Sequence, residues 1–152
     1  MIYNNRLLGE VAIFKNLVFN DGIADHASLR GRPCLILADL EDKFYIIPLS
    51  HSKVKFIDEE YYYNVPKNKL IKNPYRPFDT RTQFFNFTGI LEMDVFGINP
   101  ICNISEKEYY KIIKQLLMLD FHAYPKVYER VEKIREDLTK QEVILEKKLK
   151  KK

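Results

Sequence analysis

Arg30, Arg32, Ser50, His51, Ser52 and Lys53 are the residues of this 152-residue chain whose types and order could do chemistry together. They flank two short apolar runs of β-type composition, Cys34 to Leu37 and Phe44 to Leu49, joined by an acidic connection from Ala38 to Lys43. The pattern predicts a hairpin, and in an antiparallel pair the start of one strand lies beside the end of the next. Two guanidinium groups, two hydroxyls, an imidazole and an ammonium group would then meet at one sheet end, with Lys55 just beyond. Such a set suits a phosphate. Cleaving RNA without a metal requires activating the ribose 2′-hydroxyl, binding the extra negative charge on phosphorus and protonating the departing 5′-oxygen. Arg32 suits the second task because a guanidinium stays charged and forms paired hydrogen bonds to phosphate oxygens. Ser50 can bind the same phosphate, His51, with an ordinary pKa near about 6.5, can carry protons at neutral pH, and Lys53 adds positive charge. A strand that simply turns at Pro-Leu-Ser-His-Ser-Lys, its serines bonded to local backbone, would have the same sequence.

Composition narrows the field. Hydrophobic residues make up 46% and charged residues 30%, the balance of a globular chain. Ten Tyr and ten Phe, with no Trp and only five Gly, favour a sheet with aromatic faces. No apolar run approaches the roughly 20 residues of a membrane-spanning helix, and no secretory signal is evident, so the expected location is the cytoplasm, away from membranes. The net charge is +4, and five lysines fall in 147–152, which leaves −1 for the remainder. Basicity is therefore local, suited to a polyanion or to a solvated end. Cys34 and Cys102 lack metal-ligand spacing and read as reduced structural thiols. HExxH, Walker and GxGxxG patterns are all missing, so no metal or cofactor is expected.

The remaining elements must hold those groups in place. Leu7 to Phe14 reads as a first strand and Asn16 to Arg32 as a loop rich in turn residues, which makes His26 a secondary candidate. Phe56 to Val65 reads as a strand ended by Pro66. Lys67 to Arg81 reads as irregular, kept so by Pro74 and Pro77. Its Lys67, Lys69, Lys72, Tyr75, Arg76 and Arg81 interleave cations with aromatic rings, as single-stranded nucleic acid prefers; a surface loop with its rings folded back on the core would look the same. Thr82 to Gly89 and Ile90 to Asn99 are strand-like, with bends at Gly89 and Gly97, and the β-rich part ends near Pro100 to Ile104. Ser105 is a good helix cap before Tyr109, Ile112, Ile113, Leu116 and Leu117. A second helix starts near Pro125 with a seam of Val127, Val131, Ile134, Leu138 and Leu145, which could face its own domain or a partner. The expectation is one α+β domain over 1–152, mainly a small twisted antiparallel sheet or barrel over 1–104 and helical over 105–150.

Leu8-Gly9-Glu10-Val11, then Gly31-Arg32-Pro33, then Ile47-Pro48-Leu49-Ser50 resembles the order of motifs in toxins of the MazF and PemK family, small barrel ribonucleases. The later segments resemble the ToxN, AbiQ and CptN group of type III toxin–antitoxin systems. Pro48-Leu49-Ser50-His51-Ser52-Lys53 matches a strand ending in Pro-Leu-Ser/Thr-Ser-Pro-Lys, and Asn99-Pro100-Ile101 precedes two helices with Tyr110, Leu116 and Leu117 in the first. By position Arg32 matches the basic residue before the second strand, Ser50 the phosphate-contacting hydroxyl and Lys53 the closing lysine. His51 and Ser52 depart from the group's Ser and Pro. The resemblance implies a MazF/PemK-type fold with C-terminal helices and a sequence-specific endoribonuclease toxin. Such a toxin leaves 2′,3′-cyclic phosphate and 5′-hydroxyl ends and is restrained by a small repeat-derived RNA antitoxin, in a possible toxin–RNA hetero-oligomer. A non-catalytic RNA-binding module, or a MazF-like toxin held by a protein antitoxin, are the alternatives.

Overall fold

A computed structural model describes residues 7–25, 31–40, 43–50, 58–65, 70–72, 83–94, 98 and 100–150. The hairpin at its centre joins β2 (Arg32–Leu40) to β3 (Lys43–Ser50). Leu35 and Leu37 share one apolar cluster with Tyr45, Ile47 and Leu49, while Cys34 and Ile36 share a second with Phe44 and Ile46. Both faces are buried, which is why these strands are near-continuous apolar runs rather than alternating ones. Both are longer than the sequence suggests. Ala38, Asp39 and Leu40 pair with Tyr45, Phe44 and Lys43 after a bulge between Ile36 and Ala38, so the acidic connection is mostly ladder.

The hairpin is the middle of an α+β fold, a curled antiparallel half-barrel followed by two helices. The other strands are β1 (Glu10–Phe14), β4 (Tyr62–Val65), β5 (Leu70–Lys72), β6 (Gln83–Asn86), β7 (Leu91–Asp94) and β8 (Pro100–Ile104). Their order is β4-β6-β3-β2-β1-β8-β5, with β7 also on β3. The outer edge of β3 is shared: Lys43 to Ile46 pair with β7, and Leu49 and Ser50 pair with β6. Pro48, which has no amide hydrogen for a ladder, stands where one partner gives way to the other. That change of partner turns the sheet.

Several expected boundaries move. Leu7 to Gly9 form a turn, with Glu10 N–H donating to Leu7 O at 3.0 Å and Gly9 at φ +82°, so β1 starts three residues late. Glu59–Tyr61 is a 3-10 turn before the short β4. Phe87–Gly89 is another, held by the Asn86 side chain. Leu70–Lys72 lies inside the segment read as irregular, yet pairs with β8 as an edge strand. Pro66, Pro74, Pro77 and Gly97 lie outside the described residues.

Helix α1 (Glu106–Met118) starts at Ser105, whose hydroxyl accepts from Glu108 N–H at 3.2 Å. Its Tyr109, Ile112, Ile113 and Leu116 are buried and Leu117 is half-buried. Gln115 Nε2 ties it to β4 by donating to Tyr62 O at 3.1 Å. Glu108 is buried and accepts from Tyr63 Oη at 2.6 Å, with the Lys111 ammonium 3.4 Å from its other oxygen. Helix α2 (Pro125–Lys150) buries Val127, Val131, Ile134 and Leu138 in the cluster that holds Leu35, Tyr45 and Ile112. The seam thus covers its own sheet as far as Leu138; the Leu145 side chain is outside the description. No helix among the described residues is long and apolar enough to cross a membrane.

Candidate functional site

Cys34 pairs with Pro48 across the hairpin. Two residues back along β2 is Arg32, paired with Phe14 of β1, and two residues on along β3 is Ser50, paired with Phe84 of β6, so both stand at the same end of the hairpin just past its last paired residues. Both lie within the strands rather than beyond them. Period-two alternation puts them on the face of Cys34 and Pro48, where both line a pocket of about 690 Å³. Arg32 and Ser50 thus share one pocket wall.

Arg32 carries a partner that its own strand does not supply. Asp25, whose side chain is 1% exposed, takes Nε at 2.8 Å on one carboxylate oxygen and Nη2 at 2.8 Å on the other. Nη1 donates to Leu49 O at 3.1 Å, and the Phe19 ring lies 5.9 Å from the guanidinium carbon. Donating to the Asp25 carboxylate holds the Arg32 pKa above its ordinary value. A guanidinium has five N–H groups. Among the described residues three are taken by Asp25 and Leu49, leaving one on each terminal nitrogen for a ligand. Arg32 therefore offers direction more than net charge, because a buried carboxylate already balances it.

Asp25 reaches this position through a small hairpin before β2. Val18 pairs with Ala24, Phe19 N–H donates to Ile23 O at 3.0 Å, and Gly22, at φ +85°, donates to Phe19 O at 2.9 Å. Asp25 N–H returns to Leu17 O at 2.9 Å. The tip is tied across the pocket, since Asn20 Nδ2 donates to Thr88 O at 3.0 Å and Ile90 O at 3.2 Å. Arg130 of α2 donates to Asn20 Oδ1 at 3.0 Å and also to Ile90 O.

The remaining pocket walls are Phe19, Asn20 and Asp21 from this tip, Tyr62 of β4, Asn86 at the end of β6, and Thr88 and Gly89 just after it. Ala123 to Val127, at the start of α2, complete them. Three aromatic residues, Phe19, Tyr62 and Tyr124, line a space that Arg32, Ser50 and Lys126 also line. Tyr62 is set edge-on to Phe84 and Tyr124 edge-on to Tyr61, which fixes both rings. The arrangement can hold a flat ring between aromatic faces and an anion against Arg32 and Ser50.

Of the other sequence candidates, His26, Arg30, His51, Ser52, Lys53, Lys55, Lys67, Lys69, Tyr75, Arg76 and Arg81 lie outside the described residues, and so does the Lys72 side chain. Cys34 and Cys102 are free and buried; burial pushes the Cys102 thiol up to about 12 and raises Cys34 as well. Sequence reasoning missed Asp25, taken only as a turn residue, and the amide of Asn86. Neither has a local signal, because each acts on a residue that only folding brings near. It also passed over Asp120 and His122, between the helices. Asp120 accepts from His122 N–H at 3.0 Å and from its Nδ1, and these bonds hold the Asp120 carboxyl below its ordinary value. The His122 ring tilts against Tyr128 at 4.7 Å and is not part of the pocket wall.

No known protein family matches this chain, and no curated protein matches it either.

Proposed function

We propose that this chain is a metal-independent endoribonuclease toxin of a toxin–antitoxin system, acting in the cytoplasm on RNA. The observation that carries the reading is the meeting of Arg32 and Ser50 across β2 and β3 on the wall of a pocket lined by Phe19, Tyr62 and Tyr124. Aromatic rings beside cations and hydroxyls suit unstacked bases joined by phosphates. The two unspent N–H groups of Arg32 and the Ser50 hydroxyl bind the non-bridging oxygens of the scissile phosphate. The ribose 2′-oxygen attacks phosphorus and gives up its proton, the bond to the 5′-oxygen breaks, and that oxygen takes a proton as it leaves. The products are a 2′,3′-cyclic phosphate and a 5′-hydroxyl. His51 carries protons and Lys53 adds positive charge in this scheme, on sequence grounds. A small RNA antitoxin, sharing the chemistry of the substrate, occupies the same face in the restrained state.

The test is cleavage of RNA by the purified chain in EDTA, with the ends mapped. Ser50→Ala, folded by circular dichroism, is expected to lose at least about a hundredfold in rate, the scale of a lost transition-state hydrogen bond. Arg32→Ala alone would strand the Asp25 carboxylate, so it is combined with Asp25→Asn and is expected to lose as much. Full cleavage by both folded variants would overturn the assignment.

One observation favours the second reading, an RNA-binding module without catalysis. The bidentate pairing with Asp25 is how a guanidinium is held for structural reasons, and a binding site needs only the donors that remain. Tight RNA binding that weakens with salt, without cleavage across many substrates, would select it. A protein antitoxin docked on the α2 seam is disfavoured, because Val127 to Leu138 is already covered by the sheet and α1.

A further inference from the structure

Asn86 stands at the end of β6, half-buried in the pocket wall. Its side-chain oxygen accepts twice from one residue, from Thr88 N–H at 3.0 Å and from Thr88 Oγ1 at 2.7 Å. Those two donors settle which end of the amide is which. An oxygen facing Thr88 leaves the Nδ2 group as the other end, and among the described residues Nδ2 has no protein acceptor. The neighbouring amide differs: Asn20 spends its nitrogen on Thr88 O and Ile90 O and its oxygen on Arg130. Of two asparagines lining one pocket, one is a strut and the other is an oriented donor.

We propose that Asn86 is a specificity-determining residue that selects bases with a keto oxygen at C4 of a pyrimidine or C6 of a purine, uracil or guanine, over those with an amino group there, cytosine or adenine. The inference rests on the reading of this pocket as an RNA site. A base lying among Phe19, Tyr62 and Tyr124 presents its edge to the wall, where Nδ2 can donate to a keto oxygen but meets an amino group donor to donor. Discrimination of this kind comes less from the bond made than from the two unpaired donors left by the wrong base. Arg32, with donors left over and no acceptor, biases the pocket in the same direction.

The probes are the 3′-monophosphates of uridine, cytidine, guanosine and adenosine, titrated into the ¹⁵N-labelled chain. Within each pair, uridine against cytidine and guanosine against adenosine, charge is equal and ring size is matched, so the ratio of affinities reports the keto-for-amino exchange together with the ring nitrogen beside it, and uridine against cytidine is the cleaner pair because guanine adds a 2-amino group. The expected ratio is about tenfold or more in favour of the keto member, in the range of a specific base contact. The Asn86 side-chain amide signals, assigned by their loss in Asn86→Asp, are expected to shift with the keto nucleotides. Asn86→Asp keeps an oxygen for Thr88 but offers a carboxylate to the base, and it is expected to abolish or invert the ratio. Equal affinities within each pair, no binding of any of the four, or an unchanged ratio in Asn86→Asp would each overturn the inference. RNA cleavage by the wild type is scored separately. Cleavage with no base preference defeats the role of Asn86 and leaves the ribonuclease reading intact, while a preference without cleavage does the reverse.

Discussion

Asp25 determines what Arg32 can be. Its carboxylate is almost fully buried and both of its oxygens bind the guanidinium, which is itself only 15% exposed. Removing one member of such a pair leaves a largely buried charge without its partner, at a cost of up to about 3–5 kcal/mol. Asp25→Ala should therefore destabilise the chain by that order in urea unfolding. Asp25→Ala with Arg32→Met should recover most of the loss, because the pair's net contribution is far smaller than the cost of breaking it. A double variant as unstable as the single one would mean that Asp25 matters through the loop rather than through the charge. At this scale the sequence was only half legible. The hairpin pattern is enough to bring the Arg30 and Arg32 end of one strand beside the Ser50 end of the other, and only the family resemblance picks out Arg32 and Ser50 among those residues. The carboxylate is not visible, because a loop of Asn, Asp and Gly between two strands could fold in many directions. What sends Asp25 inward is the closure of Val18 on Ala24 and the Asn20 contacts with residues 68 and 70 positions away.

The hairpin is the element on which the others depend, and its bulge is the feature that a hydrophobic pattern cannot reveal. The apolar run from Cys34 to Leu37 predicts a strand, but not that Leu37 and Ala38 both join the cluster under the helices. A bulge bends its strand and increases local twist, which curls β2 around α1 and α2. At that point Tyr109 of α1 donates its hydroxyl to Leu37 O at 2.5 Å in a buried setting. Tyr109→Phe keeps the ring and removes the donor. It should cost about 1–3 kcal/mol, the penalty for an unsatisfied buried carbonyl, seen as a lower urea midpoint with an unchanged slope. Loss of less than half the lower figure would show that water takes over the carbonyl. The helices were the most legible elements, since Ser105 and the spacing from Tyr109 to Leu116 state both cap and face. The short edge strands were the least: three residues pairing at β5 carry no periodicity of their own, and the Lys-rich sequence around them reads as loop.

Across the whole molecule, α2 runs beside the hairpin from the pocket, where Val127 lines the wall, to the far end of β2. There Asp137 comes within the field of Asp39. Burial raises the Asp137 pKa, with Asp39 adding to the effect and Gln141, which donates to it at 2.8 Å, opposing it. A carboxyl whose folded pKa is raised stabilises the fold relative to the unfolded chain only while protonated. The contribution is full below the ordinary value of 3.8 and is lost as pH rises through the folded pKa. Asp137→Asn should therefore be more stable than wild type at neutral pH and indistinguishable from it below that value. Equal unfolding midpoints at both pH values would show that solvent relieves the charge.

The walls of the pocket include residues 19–21, 32, 48, 50, 62, 86, 88, 89 and 123–127, many of them distant in sequence, and Asn20 ties the first of these pieces to Thr88 and, through Arg130, to the body of α2 before anything binds. The entropy of ordering the cavity is lost when the chain folds and not when a ligand arrives. Association should then be governed by encounter and desolvation, so that close variants of one ligand would differ chiefly in how fast they leave.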